Sequence, residues 1–221
     1  MTIQVELERR VGWLIFDRPH AGNAIDAQMF IDLEAAWRTL EADANVRVIV
    51  NTGNGRAFQT GLDVRQLADD KEALRASSRQ TRDFDLRMTG WHCGVTKPVI
   101  AAVNGTCAGG GLHFVADADV VIASSDASFL DPHVSVGQVS AFETIGLLKK
   151  APMGEVSRMA LMGRHERLDA TRARQLGIVS EVVEPDALRP RAQALAEDVA
   201  TGDVDLLAVT KRALWQTLER P

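Results

Sequence analysis

The stretch Pro98–Ser124, PVIAAVNGTCAGGGLHFVADADVVIAS, carries the reading of the fold. An apolar run opened by Pro98 leads into three successive glycines, a short helical segment holding His113, and a second apolar run. Short continuous apolar runs bounded by turn signals read as buried strands. Strand, glycine turn, helix and strand in that order imply a layered α/β architecture.

The same grammar extends in both directions. Upstream, IQVELERRVGWLIFDRP places Ile3, Val5 and Leu7 at period two, then a charged turn, then Val11, Trp13 and Ile15, which predicts a hairpin. Asp26 can cap a helix whose Met29, Leu33, Trp37 and Leu40 share one face. VRVIVNTGNGRAF, from Val46, reads as a buried strand ending in a glycine turn. LADDKEALRASSRQTRDFDLRM, from Leu67, reads as a long polar helical stretch. Downstream, ADVVIASSDASFLDP supplies a third strand and a return. From Ala151 the pattern is nearly all helix, with Asp169 as a cap and Gly177 as a stop. The expected division is a mixed core over 1–150 and a helical C-terminal region over 151–221.

Composition narrows the function classes. The chain has 221 residues, 46% of them hydrophobic, and a formal net charge of −5. That is enough apolar material for a sizeable core, and no basic footprint for nucleic acid. Cys93 and Cys107 show no metal spacing and no disulfide framework, which suits a reducing compartment. The N-terminal residues lack the apolar region of a signal peptide, and no apolar stretch approaches membrane-spanning length. The expected location is the cytoplasm, with neither nucleic acid nor membrane as a partner.

Two glycine turns hold the chemistry. Glycines at a helix N-terminus leave unpaired N–H groups facing outward, where the helix dipole favours negative charge. GRAFQTGLD offers a second set of donors around Gly61 and Leu62. Backbone donors from two loops can stabilise an oxyanion on a polarised carbonyl. The competing reading is that Gly109, Gly110 and Gly111 serve close helix–strand packing. A dinucleotide site is the weaker alternative, because neither turn has the GxGxxG spacing.

RPHAGNAID, GRAFQTGLDV, KPVIAAVNGTCAGGGLHFVADADVVIAS, ASFLDPHVSVG and ATRARQLGIVSEVV together resemble the enoyl-CoA hydratase/isomerase (crotonase) superfamily, in order and over nearly the whole chain. The resemblance implies a spiral of ββα units followed by a helical C-terminal region, and an enzyme acting on acyl-CoA thioesters. It implies that the N–H groups of Leu62 and Gly110 hold the thioester oxygen of an enolate. It places Asn23 and Ala24 near the CoA nucleotide, and Leu62, Asp63, Val64 and Arg65 along the CoA moiety, with Asp63 shaping the turn. No metal and no cofactor are implied beyond the CoA of the substrate. The implied assembly is a homotrimer or hexamer.

The catalytic side chains depart from the hydratase pattern. Typical members carry one glutamate two residues after the glycine triplet and another just after the proline of the next loop; His113 and His133 stand there instead. Imidazole can serve as acid or base near neutral pH. His113 is expected either in the core or in catalysis, and His133 along the acyl pocket. Asp131 is expected to make turn hydrogen bonds. Glu143, ahead of TIGLLKK, is the nearest carboxylate after the missing pair and a candidate general acid/base, or simply a first-turn acid favoured by the helix dipole. His113, His133 and Asp131 have metal-ligand chemistry but no compact ligand motif. Hydration and isomerisation lead the expected reactions. Acyl-CoA hydrolysis, carbon–carbon bond cleavage, or CoA binding without catalysis are the alternatives on the same fold. The resemblance also implies helices beyond the one matched by LLAVTKRALWQTLE, so the chain is expected to be a short member or a truncated one.

Overall fold

The computed structural model describes residues 2–63 and 87–219. Val64, Arg65 and most of the polar stretch from Leu67 lie outside the described residues. Strands β1 (Ile3–Glu8) and β2 (Val11–Phe16) form the expected hairpin. Its two-residue turn puts Arg9 and Arg10 at φ 46° and 70°, the backbone twist that suits a tight hairpin. Helix α1 (Ala27–Ala42) begins where Asp26 Oδ1 accepts the Met29 N–H at 2.8 Å, a cap worth about 1 kcal/mol. The predicted face of α1 is the buried one: Met29, Leu33, Trp37 and Leu40 are each at most 1% exposed.

Three strand pairs follow, and each places one strand in each of two sheets. They are β3 (Val48–Gly53) with β4 (Ala57–Gln59), β5 (Val99–Val103) with β6 (Thr106–Ala108), and β7 (Val120–Ser124) with β8 (Ser128–Leu130). The larger sheet, closed by β10 (Glu181–Val183), has the order β1-β2-β3-β5-β7-β10 and is parallel except for the first hairpin. The smaller, closed by β9 (Leu168–Asp169), has the order β4-β6-β8-β9, parallel as far as β8. Short helices follow the strands: α2 (Leu112–Ala116), α3 (Phe142–Leu147) and α4 (Met153–Met162). This is the α/β spiral of ββα units.

The region after Ala151 is not entirely helical. Besides α4, α5 (Ala170–Leu176), α6 (Leu188–Val199) and α7 (Val204–Glu219), it supplies β9 (Leu168–Asp169) to the small sheet and β10 (Glu181–Val183) to the large one. Strands this short hold too few residues to display a period, so only their sheet neighbours define them. Helix α6 covers one face of the large sheet through Leu188, Ala192 and Ala196. Its alanines let it lie close over Trp13, Val50 and Ile100. Helix α7 is tied down at Asp119, whose carboxylate meets Lys211 Nζ at 2.9 Å and Trp215 Nε1 at 2.6 Å. Among the described residues no helix is long and apolar enough to cross a membrane.

Candidate active site

The two glycine turns meet. Gly61 has φ 85°, and a Cβ built there would lie 2.9 Å from the Gly110 nitrogen; a Cβ on Gly110 would lie 3.3 Å from Gly61 Cα and 3.9 Å from the Leu62 nitrogen. Only bare backbone allows this approach. Ile25 bonds to the flanks of Leu62, donating to Gly61 O and accepting from Asp63 N, both at 2.8 Å. In a parallel bridge of this kind the central residue's own N–H points away from the partner. The Leu62 N–H is thus directed away from Ile25.

The glycines of the triplet have separate tasks. Gly109 takes φ 50°, and a Cβ on Gly111 would come within 2.2 Å of Gln59 O. The packing reading therefore holds for Gly111, while Gly110 is the one facing the other turn. Gln59, fully buried, braces that turn: its Oε1 accepts the Gly61 N–H at 2.6 Å and its Nε2 donates to Asn23 O at 3.1 Å.

Asn23 is 0% exposed. Its Nδ2 donates to the carbonyls of Asn54, Ala57 and Phe58 at 2.8–3.1 Å, and its Oδ1 accepts the Arg18 N–H at 2.9 Å. The side chain is thus spent on holding the turn to the protein. Arg18, which sequence reasoning passed over, joins Asp26 Oδ2 at 3.1 Å and Asp63 Oδ2 at 3.0 Å and donates to Ala24 O. Arg18 thus holds Asp63 and Asp26 to one cation. Val64 and Arg65 lie outside the described residues.

The three catalytic candidates come together. Glu143, in the first turn of α3, is 9% exposed and stands with Oε1 3.4 Å from His113 Nε2 and 3.6 Å from His133 Nε2. The fold brings His113 there from α2 and His133 from the 3₁₀ turn His133–Val136. His133 lies beside the glycine triplet, its Cε1 3.6 Å from the position a Gly109 Cβ would take. Behind it, Asp131, wholly buried, accepts both the backbone N–H and the Nδ1 of His133, and its other oxygen accepts from Ser140 Oγ. Asp131 makes the expected turn bond, and it also orients an imidazole.

The electrostatics follow from these contacts. The bond to Asp131 raises the His133 pKa above the ordinary histidine value, against burial and with help from the charges of Glu143 and Asp131. Burial pushes the Glu143 carboxyl up, but the imidazoles of His113 and His133 outweigh it and leave it below the usual range. For Asp131, burial is likewise outweighed, by the hydrogen bonds from His133 and Ser140. The two shifts run in opposite directions, the carboxyl toward losing its proton and the imidazole toward keeping one. A groove of about 610 Å³ between α7 and residues 91–96 is lined by none of these residues.

A family model described as enoyl-CoA hydratase/isomerase matches residues 6–221. A protein of Rhizobium meliloti described as a probable enoyl-CoA hydratase is 33% identical over 220 residues, covering 99% of this chain and 82% of that protein. The (E)-benzylidenesuccinyl-CoA hydratase of Thauera aromatica is 33% identical over 216 residues, covering 96% and 82%. The crystal structure of an enoyl-CoA hydratase/isomerase from Mycobacterium paratuberculosis superposes with a TM-score of 0.87 at 37% identity, covering 100% of this chain and 84% of that one.

Proposed function

Since the chain belongs to the enoyl-CoA hydratase/isomerase family and is an enzyme of that group acting on acyl-CoA, we propose that it forms a thioester enolate between Leu62 and Gly110, with Glu143 and His133 moving the protons. The observation that carries this reading is the placement of Glu143 between two imidazoles, one of which adjoins the glycine turn. The Leu62 and Gly110 N–H groups would receive the negative charge as it develops on the thioester oxygen, a contribution that often dominates catalysis. In hydration, Glu143 takes a proton from water as the water oxygen bonds to the β-carbon, and His133 delivers a proton to the α-carbon. Transfer between Glu143 and His133 then restores the starting state. Asp131 is a positioning residue that sets the His133 ring, and His113 holds Glu143 from the other side. Ala24, Leu62, Asp63, Val64 and Arg65 are proposed along the CoA. No cofactor is needed beyond the CoA of the substrate.

A second reading rests on the Asp131–His133 pair. An imidazole backed by a buried carboxylate can direct water at the thioester carbonyl itself, forming a C–O bond and expelling CoA as the thiol. Mass spectrometry of products from an acyl-CoA library varied in chain length, unsaturation and ring content separates the two. Hydrated or isomerised acyl-CoA supports the first reading, and free CoA with a carboxylic acid supports the second. Thioester binding without turnover across the library overturns both.

The proposed assembly is a homotrimer or hexamer. Its support is a set of exposed apolar side chains on adjoining elements: Val136, Val139, Ile145, Met153 and Leu161, each between 57% and 85% exposed.

A further inference from the structure

Behind Glu143, on the side away from His133, lies a polar cluster that the proposed reaction does not use as a unit. His113 and Asp117 are one helical turn apart, Asp117 closing the C-terminus of α2, so both project from the same face. His92 reaches them from the turn around residues 89–94, its ring edge-on to that of His113 with centroids 5.7 Å apart. One potential ligand atom from each of His92, His113 and Asp117 lies within 4.8 Å of the other two.

The surrounding bonds leave each residue an atom to give. Thr89 Oγ1 donates to Asp117 Oδ2 at 2.7 Å, since an ionised carboxylate only accepts. The same oxygen then faces His92 Nδ1 at 3.0 Å, closer than the 3.3 Å approach of the Thr89 N–H to that nitrogen. His92 Nδ1 is thus engaged by Thr89, leaving Nε2 as its candidate ligand atom. On His113, the carboxylate facing Nε2 draws the proton there and leaves the lone pair on Nδ1. Metal-binding histidines commonly have the second ring nitrogen held by a carboxylate or another hydrogen-bonding group.

We propose that His92, His113 and Asp117 are the protein ligands of a divalent transition-metal site, for which zinc is the best-suited ion. Two imidazoles and one carboxylate form a ligand set that zinc takes readily. Tetrahedral zinc ligands lie roughly 3.4 Å apart, so the widest pair has to draw in by at most roughly 1.4 Å. The nearby ammonium groups have other partners: Lys149 sits over the rings of Trp91 and Trp215, and Lys150 donates to Ala118 O. His92 is only partly buried, giving an ion a way in. No motif announces the site, because His92 comes from a different segment than the His-x-x-x-Asp pair.

The test needs no acyl-CoA, so its failure is separate from failure of the proposed reaction. The full chain, stripped with a chelator, is titrated with zinc by calorimetry and with cobalt by visible absorption. One saturable equivalent is expected, with cobalt d–d bands, and affinity falling about tenfold or more in H92A and in D117N. H20A and H165A, which alter histidines outside the cluster, should bind as the parent does. Circular dichroism checks that each variant is folded. Absence of saturable binding by the unmodified chain overturns the site, as does binding that survives H92A and D117N but is lost in H20A or H165A.

Discussion

His113 Nε2 and Glu143 Oε1 stand 3.4 Å apart on two different helices, and a glycine sets that distance. One turn further along each helix, Gly146 meets Ala116 so closely that a Cβ on Gly146 would lie 2.9 Å from Ala116 Cβ. Helix α3 can therefore lie against α2 only while residue 146 has no side chain.

Gly146→Ala should push α3 outward and withdraw Glu143 from His113 and His133. Overpacking of this kind costs about 1–3 kcal/mol, and turnover of a confirmed acyl-CoA substrate should fall roughly tenfold as the catalytic geometry loosens. The double variant G146A/A116G restores the space. Recovery of the rate in the double variant is the decisive measurement; an equally slow double variant would mean that this contact does not position Glu143.

Glu143→Gln keeps the shape of the side chain and removes its basicity. With the proposed proton transfer, kcat falls about a hundredfold or more while the fold, followed by circular dichroism, is retained. His133→Ala should lose a comparable factor. Turnover unchanged in both variants would refute the assignment of the acid/base pair.

The Asp131–His133 pair predicts a pH signature in stability. The His133 pKa is raised in the folded chain, so its contribution is complete below its unfolded value of about 6.5 and disappears as pH rises through the folded value. The Asp131 pKa is lowered, so its contribution is complete above an unfolded value of about 3.9 and disappears as pH falls through the folded one. The pair therefore stabilises most between about pH 4 and about pH 6.5. Melting temperatures of the parent chain and of H133Q should differ most in that window and converge in alkali. A gap that widens above neutrality would contradict the pairing.

Asp119→Ala should loosen α7. The carboxylate serves Lys211 Nζ, Trp215 Nε1 and the Val99 N–H together, and Lys211 is only 9% exposed. The Lys211 ammonium would keep only the Lys97 carbonyl, and losing the charge partner of a largely buried ammonium costs about 1–3 kcal/mol. Urea denaturation should show the loss, and hydrogen exchange should show it concentrated in residues 204–219.

The exposed apolar side chains predict self-association. Light scattering after gel filtration should give three or six times the chain mass, and I145E/L161K should shift it toward the monomer. A monomeric parent chain would remove the proposed assembly.

Much of this protein was legible in its sequence because the signals are local. Asp26 caps α1 by a bond to a residue three positions on, the buried face of α1 follows a period, and the hairpin turn needs only its own residues. The family was equally readable, since its motifs are contiguous stretches in a set order. The bare-backbone turns at Gly61 and Gly110 were located as well, although not their meeting. The tertiary structure alone decided everything that depends on separate segments reaching one point: β10 in the large sheet, Asn23 turned inward, Gln59 and Arg18 behind the Gly61 turn. The same holds for the two histidines standing where glutamates were expected. Their sequence positions said only that the usual carboxylates were missing. Close packing of Gly146 against Ala116 puts Glu143 between them, a relationship set by excluded volume between two helices rather than by any spacing along the chain.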